Sequence, residues 1–227
     1  MQILQAPSPN FTPGRQGRNI IAIVNHITAG LMPGTLSWLR NPASNVSSHY
    51  MVTKAGEVYQ LVKDEDTAWH AGIVNRPVWP LYDGTNPNRY TLGIEHEALS
   101  SEGLTEAQYQ ATMKLHRQLT ERWGIPVDRN HIIGHNLLDN VNRINDPGQN
   151  FPWERLMKDL RYGVIDMALE KWMIEGGQAA IEELYNKGLI FNPENWSSEE
   201  ELTKPVPAYL FWMMLNRLQE KLEGKAK

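Results

Sequence analysis

The chain has 227 residues, of which 41% are hydrophobic and 21% charged, a composition typical of a globular protein with a buried core. Its formal charge of −4 provides no basic excess for binding a nucleic-acid backbone or an anionic membrane surface. The absence of cysteine excludes disulfides and thiolate metal ligands, but it leaves the redox compartment open.

The first ten residues lack the basic start and the sustained apolar segment of a secretory signal peptide. No window approaches the roughly eighteen apolar residues that a membrane span requires. Residues 10–18, which include Pro13 and Gly14, are predicted to form a loop that leads into the first buried strand.

Four features are predicted next along the chain. An apolar strand over residues 20–25 ends at His26, and one or two helical turns around Leu36 to Leu39 follow between loops rich in glycine and proline. The β-rich runs 49–53 and 58–62 flank a short turn with a glycine, which predicts a hairpin. Residues 73–90 are irregular and rich in proline and aromatics, as expected of a loop that forms one wall of a groove.

A third buried strand is predicted over residues 90–98. Its alternation places Glu95 and Glu97 on one face and Ile94 and His96 on the other. A carboxylate in an otherwise apolar strand needs a functional or structural reason, which makes Glu95 a candidate site residue.

A long amphipathic helix is predicted after this strand. Thr105 is its N-cap, Gln108 three residues later completes a capping box, and Gly124 follows its last turn. Such a helix covers one face of the sheet and connects two neighbouring strands. The sequence therefore predicts an α/β fold.

Three residues have the pattern of a metal site. His26 and His135 each follow a short apolar run, and Asp146 precedes Pro147 in the loop after His135. If the two runs are adjacent strands, the three side chains meet, and a catalytic zinc takes three protein ligands with the fourth position left for water. The alternatives are strand-end histidines with satisfied hydrogen bonds and an aspartate in an Asx-turn.

Seven fragments occur in the order and spacing of the zinc-dependent N-acetylmuramoyl-L-alanine amidases, a family related to peptidoglycan recognition proteins that includes phage endolysins and cell-wall recycling enzymes. They are VNHITA at 24–29, SHYMV at 48–52, AGEV at 55–58, AWHAG at 68–72, GIEHE at 93–97, GH at 134–135 and DPG at 146–148. The chain resembles this family over roughly residues 18 to 156. The resemblance implies a central mixed β-sheet flanked by helices, with one Zn²⁺ held by the histidines and the aspartate.

The resemblance also assigns catalytic roles. Glu95 matches the family's catalytic glutamate, which takes a proton from water and returns it to the leaving amine. Many members carry a lysine where this chain has Ile144, so the neighbouring Arg143 is the candidate cation for the oxyanion if the loop is bent. Some phage members have a tyrosine where this chain has Ser48, and its absence favours Glu95.

Three further residues are candidates for binding substrate. Trp69 and His70 match a motif that lines the family's groove, and His49 is placed with them. For His70 the alternative is a hydrogen-bonded structural residue. For His49 the alternative is a packing role or a contact with a site residue.

The last third of the chain is predicted to be helical, over residues 153–169, over 171–185 with an interruption at Gly176 and Gly177, and over 205–222. We therefore predict an amidase domain over residues 1–158 and a small helical domain over 159–227, whose tryptophans are mostly core. A passive helical bundle and a wall-targeting module explain the second domain equally well.

The predicted function is zinc-dependent hydrolysis of the amide between N-acetylmuramic acid and L-alanine in peptidoglycan, with a muropeptide as the substrate. The protein is expected to be made in the bacterial cytoplasm, from a phage or a bacterial gene, and to lyse the cell wall after release. The alternatives are a non-catalytic peptidoglycan-binding protein on the same fold and a metallopeptidase that cuts within the stem peptide.

Overall fold

The computed structural model describes residues 1–100, 102–162 and 171–198, together with Leu215 and Leu218. The chain divides into two units, Met1–Val164 and Ile165–Lys227. Among the described residues, no helix combines the length and the apolar character that crossing a membrane requires.

The described part of the first unit contains eight strands and three helices. The strands are β1 (Leu4–Gln5), β2 (Phe11–Thr12), β3 (Ala22–Ile27), β4 (Tyr50–Val52), β5 (Val58–Gln60), β6 (Thr67–Ala68), β7 (Thr91–His96) and β8 (Ile132–Gly134). The helices are α1 (Gly34–Leu39), α2 (Glu106–Trp123) and α3 (Trp153–Tyr162). Six strands form one sheet in the order β1-β5-β4-β7-β3-β8, and β2 pairs with β6. Only β4 and β5 are antiparallel neighbours within the six-stranded sheet, so the predicted mixed sheet is confirmed.

The central strand β3 is buried on both faces. On one face, Ile23 packs in a cluster with Leu115 and Leu119 of α2. On the other, Val24 packs in a cluster with Trp79 and other residues of the 71–90 loop. Because both faces are covered, all six residues of β3 are buried, which explains why four of them are apolar: Ala22, Ile23, Val24 and Ile27.

Helix α2 begins and ends where the sequence predicts. Thr105 Oγ1 accepts a hydrogen bond from the Gln108 backbone N–H at 3.1 Å, and Gly124 ends the helix with a left-handed φ of 63°. The Gln108 side chain does not complete the capping box. It is buried and donates instead to the carbonyls of Val52 and Glu97, both at 3.0 Å, so it joins the helix to the ends of β4 and β7.

Two parts of the first unit differ from the prediction. Strands β1, β2 and β6 were not predicted, because two-residue strands have no periodicity to detect. The predicted domain boundary at residue 158 falls inside α3. Leu156 and Met157 of α3 pack in a cluster with Met113 of α2, so this helix belongs to the core of the first unit.

The second unit is described over residues 171–198. Helix α4 (Lys171–Asn186) runs through Gly176 and Gly177, where an interruption was predicted. Trp196 is 37% exposed, which does not fit the predicted core position. The predicted helical residues 163–169 and 205–222 lie outside the described part of the chain, except that Leu215 and Leu218 are helical and exposed.

His116 of α2 is a buried titratable group in the core. Its Nδ1 donates to the Thr112 carbonyl at 2.8 Å, and its Nε2 has no hydrogen-bond partner within the described residues. Burial lowers the pKa of His116 from its ordinary value of 6.5 to about 4. Between these pH values the unfolded chain binds a proton that the folded chain does not, so the free energy of unfolding falls as the pH falls.

We expect His116→Leu to flatten this dependence, since leucine has no proton to bind in either state. Between pH 6.5 and pH 5, the wild-type protein should lose about 1.6 kcal/mol more of its unfolding free energy than the variant loses. Urea unfolding at pH 6.5 and pH 5 measures the difference. Equal losses in the two proteins would contradict the prediction.

Candidate metal centre and groove

The three predicted metal ligands meet beside the carboxyl ends of β3 and β8. His135 Nδ1 lies 3.0 Å from His26 Nδ1 and 3.0 Å from Asp146 Oδ2, and His26 Nδ1 lies 3.5 Å from the same oxygen. Ligands bonded to zinc at about 2.0 Å in a tetrahedron are separated by about 3.3 Å. Two imidazole nitrogens and a carboxylate oxygen at these distances therefore fit a single zinc ion.

Strand register and one glycine bring the ligands together. In the pairing of β3 with β8, Asn25 lies opposite Gly134, so His26 and His135 are the next residues along the two neighbouring chain segments. A Cβ on Gly134 would lie 2.6 Å from Pro147 Cδ, so glycine lets the chain carrying Asp146 pass this close to the strand.

Different contacts of its two oxygens orient the Asp146 carboxylate. Oδ1 accepts a hydrogen bond from the Ile27 backbone N–H at 2.8 Å, which leaves Oδ2 facing His26 and His135. Burial opposes ionisation of Asp146, but its contacts with His135 and His26 hold its pKa well below the ordinary value. Burial lowers the pKa of His26. The carboxylate is therefore charged and the His26 ring neutral, which are the forms that bind metal.

Glu95 lies next to the ligands on the same face of the sheet. In the pairing of β3 with β7 it is opposite His26, so the two side chains are cross-strand neighbours. Its Oε2 is buried and has no hydrogen-bond partner among the described residues. Burial raises the pKa of Glu95, the nearby Asp146 carboxylate raises it further, and Arg143 opposes the shift. Glu95 is thus a carboxyl group that can hold a proton near neutral pH.

A groove of about 490 Å³ opens over this cluster. Its lining includes Glu95, the three candidate ligands and three other predicted site residues, Trp69, His70 and Arg143. Arg143 is exposed and faces the groove, whereas Ile144 is exposed but does not line it. The loop is therefore bent so that Arg143, and not Ile144, faces the groove. The proposed role of Arg143 requires this arrangement.

His70 and His49 lie deeper than a substrate-binding role requires. His70 is only 7% exposed, and its two ring nitrogens lie 3.1 Å from His26 Nε2 and 3.2 Å from Thr91 Oγ1. His49 is completely buried and does not line the groove. Its Nδ1 accepts from the Gly93 N–H at 2.9 Å, and its Nε2 lies 2.8 Å from Arg15 Nη2. Since both nitrogens of His49 have partners, the structure places it beneath the groove as a packing residue.

Some residues near the groove have roles that the sequence did not show. Trp38 of α1 lines the groove and is 55% exposed, so an aromatic face is available to a substrate. Its only sequence signal is a tryptophan on a short helix after the His26 strand. Glu97 is structural: its two oxygens accept from the backbone N–H groups of Met32 at 2.9 Å and Lys54 at 2.8 Å.

The comparison with known proteins agrees with this geometry. The family described as N-acetylmuramoyl-L-alanine amidase matches residues 16–149 of the chain. The chain belongs to this family. The predicted family and fold class are thereby confirmed, and the matched residues include all three candidate metal ligands, Glu95 and Arg143.

Individual members of the amidase family show the extent of the similarity. N-acetylmuramoyl-L-alanine amidase A of Achromobacter lyticus is 29% identical over 58% of this chain and 78% of its own length. The 1,6-anhydro-N-acetylmuramyl-L-alanine amidase AmpD of Haemophilus influenzae is 31% identical over 51% of this chain, and the match spans 59% of that protein. The structure of AmiD from E. coli, in complex with anhydro-N-acetylmuramic acid-L-Ala-D-gamma-Glu-L-Lys, matches with a TM-score of 0.55 and 25% identity, over 77% of this chain and 72% of that one.

Proposed function

We propose that this amidase hydrolyses, with zinc, the amide between the lactyl group of N-acetylmuramic acid and the L-alanine of the stem peptide. The observation that carries the proposal is the cluster of His26, His135 and Asp146 beside the buried Glu95 carboxyl on the groove floor. The AmiD structure supports the substrate class, since its bound molecule contains this amide. A non-catalytic binding protein is disfavoured, because the complete ligand set and an acid–base group are present.

The metal ligands determine the charge of the centre. Two neutral imidazoles and one carboxylate leave a Zn²⁺ site with a net charge of +1. When bound, zinc polarises the scissile carbonyl and lowers the pKa of a water molecule. His26, His135 and Asp146 would hold the ion, and Trp38 and Trp69 line the groove where the rest of a muropeptide would lie.

Glu95 is proposed as the general base and acid. Its Oε2 takes a proton from the attacking water as the new C–O bond forms, and it gives that proton to the alanine nitrogen as the C–N bond breaks. The products are a free lactyl carboxylate and a new amino terminus, so the proton is returned and Glu95 is regenerated. The raised pKa of Glu95 suits a group that must hold a proton between these two steps.

Arg143 is proposed to stabilise the oxyanion that develops on the scissile carbonyl. Its side chain lines the same groove as Glu95 and Asp146, and it is exposed to an incoming substrate. A guanidinium presents several N–H donors, so it can contact the oxygen without replacing a metal ligand.

Lysis of intact walls is the cellular role that we propose, in the manner of an endolysin. The name of the AmpD relative, which specifies a 1,6-anhydro substrate, favours a second candidate in which the substrate is a soluble wall fragment. The two roles use the same bond chemistry, and they differ in the form of the sugar end and in access to the polymer.

The function is tested by identifying the bond that is cut. The zinc-loaded protein should release, from purified walls, fragments with a free N-terminal alanine and glycan with a free lactyl carboxylate, both measured by mass spectrometry. His135→Ala, which lacks one ligand, should release neither and should contain no zinc. A 1,6-anhydro muropeptide assayed in parallel distinguishes recycling from lysis. Cleavage within the stem peptide, or no cleavage by the zinc-loaded protein, would contradict the proposal.

Glu95→Gln removes the acid–base group and keeps the size of the side chain. We expect kcat to fall by about 10² to 10⁴, the usual contribution of general acid–base catalysis, with stoichiometric zinc retained. Turnover of a soluble muropeptide and elemental analysis measure the two quantities. Glu57→Gln, at an exposed glutamate in the turn between β4 and β5, is the matched control and should behave as wild type. Near-normal turnover of Glu95→Gln would assign the role to another residue.

Arg143→Ala should lower kcat by about 10² to 10³ if the guanidinium contacts the developing oxyanion. The zinc content should not change, because Arg143 is not a ligand. Adding Ile144→Lys to this variant should not restore the rate, since residue 144 does not line the groove. Rescue by Ile144→Lys, or a normal kcat for Arg143→Ala, would show that the role is assigned wrongly.

A further inference from the structure

We propose that one short segment, His70–Ala71, fixes the tautomers of both metal-binding histidines, with His70 as a positioning residue and Asn88 as the clamp of the segment. The proposal rests on the metal site proposed above. It assigns His70 a task other than contact with the substrate.

The Ala71 carbonyl determines the state of His135. It lies 2.9 Å from His135 Nε2. A carbonyl oxygen only accepts hydrogen bonds, so the proton of the neutral ring is on Nε2. His135 Nδ1 then carries the lone pair, and this is the nitrogen that faces His26 and Asp146.

A chain of hydrogen bonds determines the state of His26. The Pro87 carbonyl, which can only accept, lies 2.8 Å from Thr91 Oγ1, so the threonine hydroxyl donates to it. Thr91 Oγ1 therefore accepts from His70 Nε2 at 3.2 Å, and His70 Nδ1 accepts from His26 Nε2 at 3.1 Å. The proton of His26 is then on Nε2, and its Nδ1 lone pair faces the metal site.

Asn88 holds the segment in place. Its Oδ1 accepts from the backbone N–H groups of both His70 and Ala71, at 3.1 and 2.8 Å. The His70 ring is pressed against β7, where a Cβ on Gly93 would lie 2.4 Å from its Cγ. The segment therefore has little freedom to move, and it offers one acceptor to each metal-binding histidine. Outer partners of this kind orient metal ligands and raise their basicity.

The first test measures the tautomers directly in the metal-free full-length protein. Nitrogen-15 spectra of the histidine rings should show His26, His70 and His135 with the proton on Nε2. In His70→Leu, His26 should become a mixture of tautomers while His135 stays unchanged. A wild-type His26 without a proton on Nε2 would overturn the proposal, whether or not the protein binds zinc.

The second test measures zinc affinity by competition with a chelator. His70→Leu should bind zinc about 10- to 100-fold more weakly, the usual effect of losing such a partner. His70→Gln is the matched control. Its amide oxygen can accept from His26 and its amide nitrogen can donate to Thr91, so it should recover most of the affinity.

The outcomes separate the two proposals. Wild-type protein that binds no zinc would refute the proposed function, and the tautomer spectra would still test the hydrogen-bond chain. Wild-type affinity in His70→Leu would refute the positioning role alone. If His70→Leu does not fold, Asn88→Ala provides the same readouts. This variant should bind zinc more weakly, and both His26 and His135 should become mixtures of tautomers. Unchanged spectra and affinity would overturn the proposal.

Discussion

The pairing of β3 with its two parallel neighbours is the constraint on which the site depends. His26 lies opposite Glu95 on β7, and it follows Asn25, which lies opposite Gly134 on β8. One central strand thus brings two candidate metal ligands and the proposed acid–base carboxyl to the same end of one sheet. A slip of one residue in either pairing would turn side chains to the opposite face. The burial of all six residues of β3 prevents such a slip, because the apolar residues of each face are held against a different layer.

Two glycines let irregular chain come close enough to this sheet to complete the site. Gly93 leaves space for the His70 ring against β7, and Gly134 leaves space for Pro147 beside β8. A side chain at either position would push away a loop that supplies a metal ligand or the partner of one. The helix-covered face of the sheet therefore provides stability, whereas the loop-covered face provides the chemistry. Function requires both, because the loops need a rigid surface to pack against.

Burial adjusts the charges of the groups that the fold brings together. It lowers the pKa of His26 and raises the pKa of Glu95, while contacts with His135 and His26 hold the pKa of Asp146 below its ordinary value. Two carboxyl groups in one buried site thus have opposite preferences for the proton. That difference gives Asp146 the properties of a metal ligand and Glu95 those of a proton carrier, in the same way that paired carboxyl groups divide their roles in other hydrolases.

The sequence by itself determined the elements whose signals are local. The apolar runs that end at His26 and His135, the caps at Thr105 and Gly124 and the family motifs identified the sheet, the long helix and the candidate ligands. These signals depend on residues within a few positions of one another. Only the tertiary structure decided which atoms the histidines contact. The ring of His70 meets His26 from 44 residues away, and the ring of His135 meets a carbonyl from 64 residues away. Such contacts depend on which distant loop crosses the sheet, and no local pattern in the sequence contains that information.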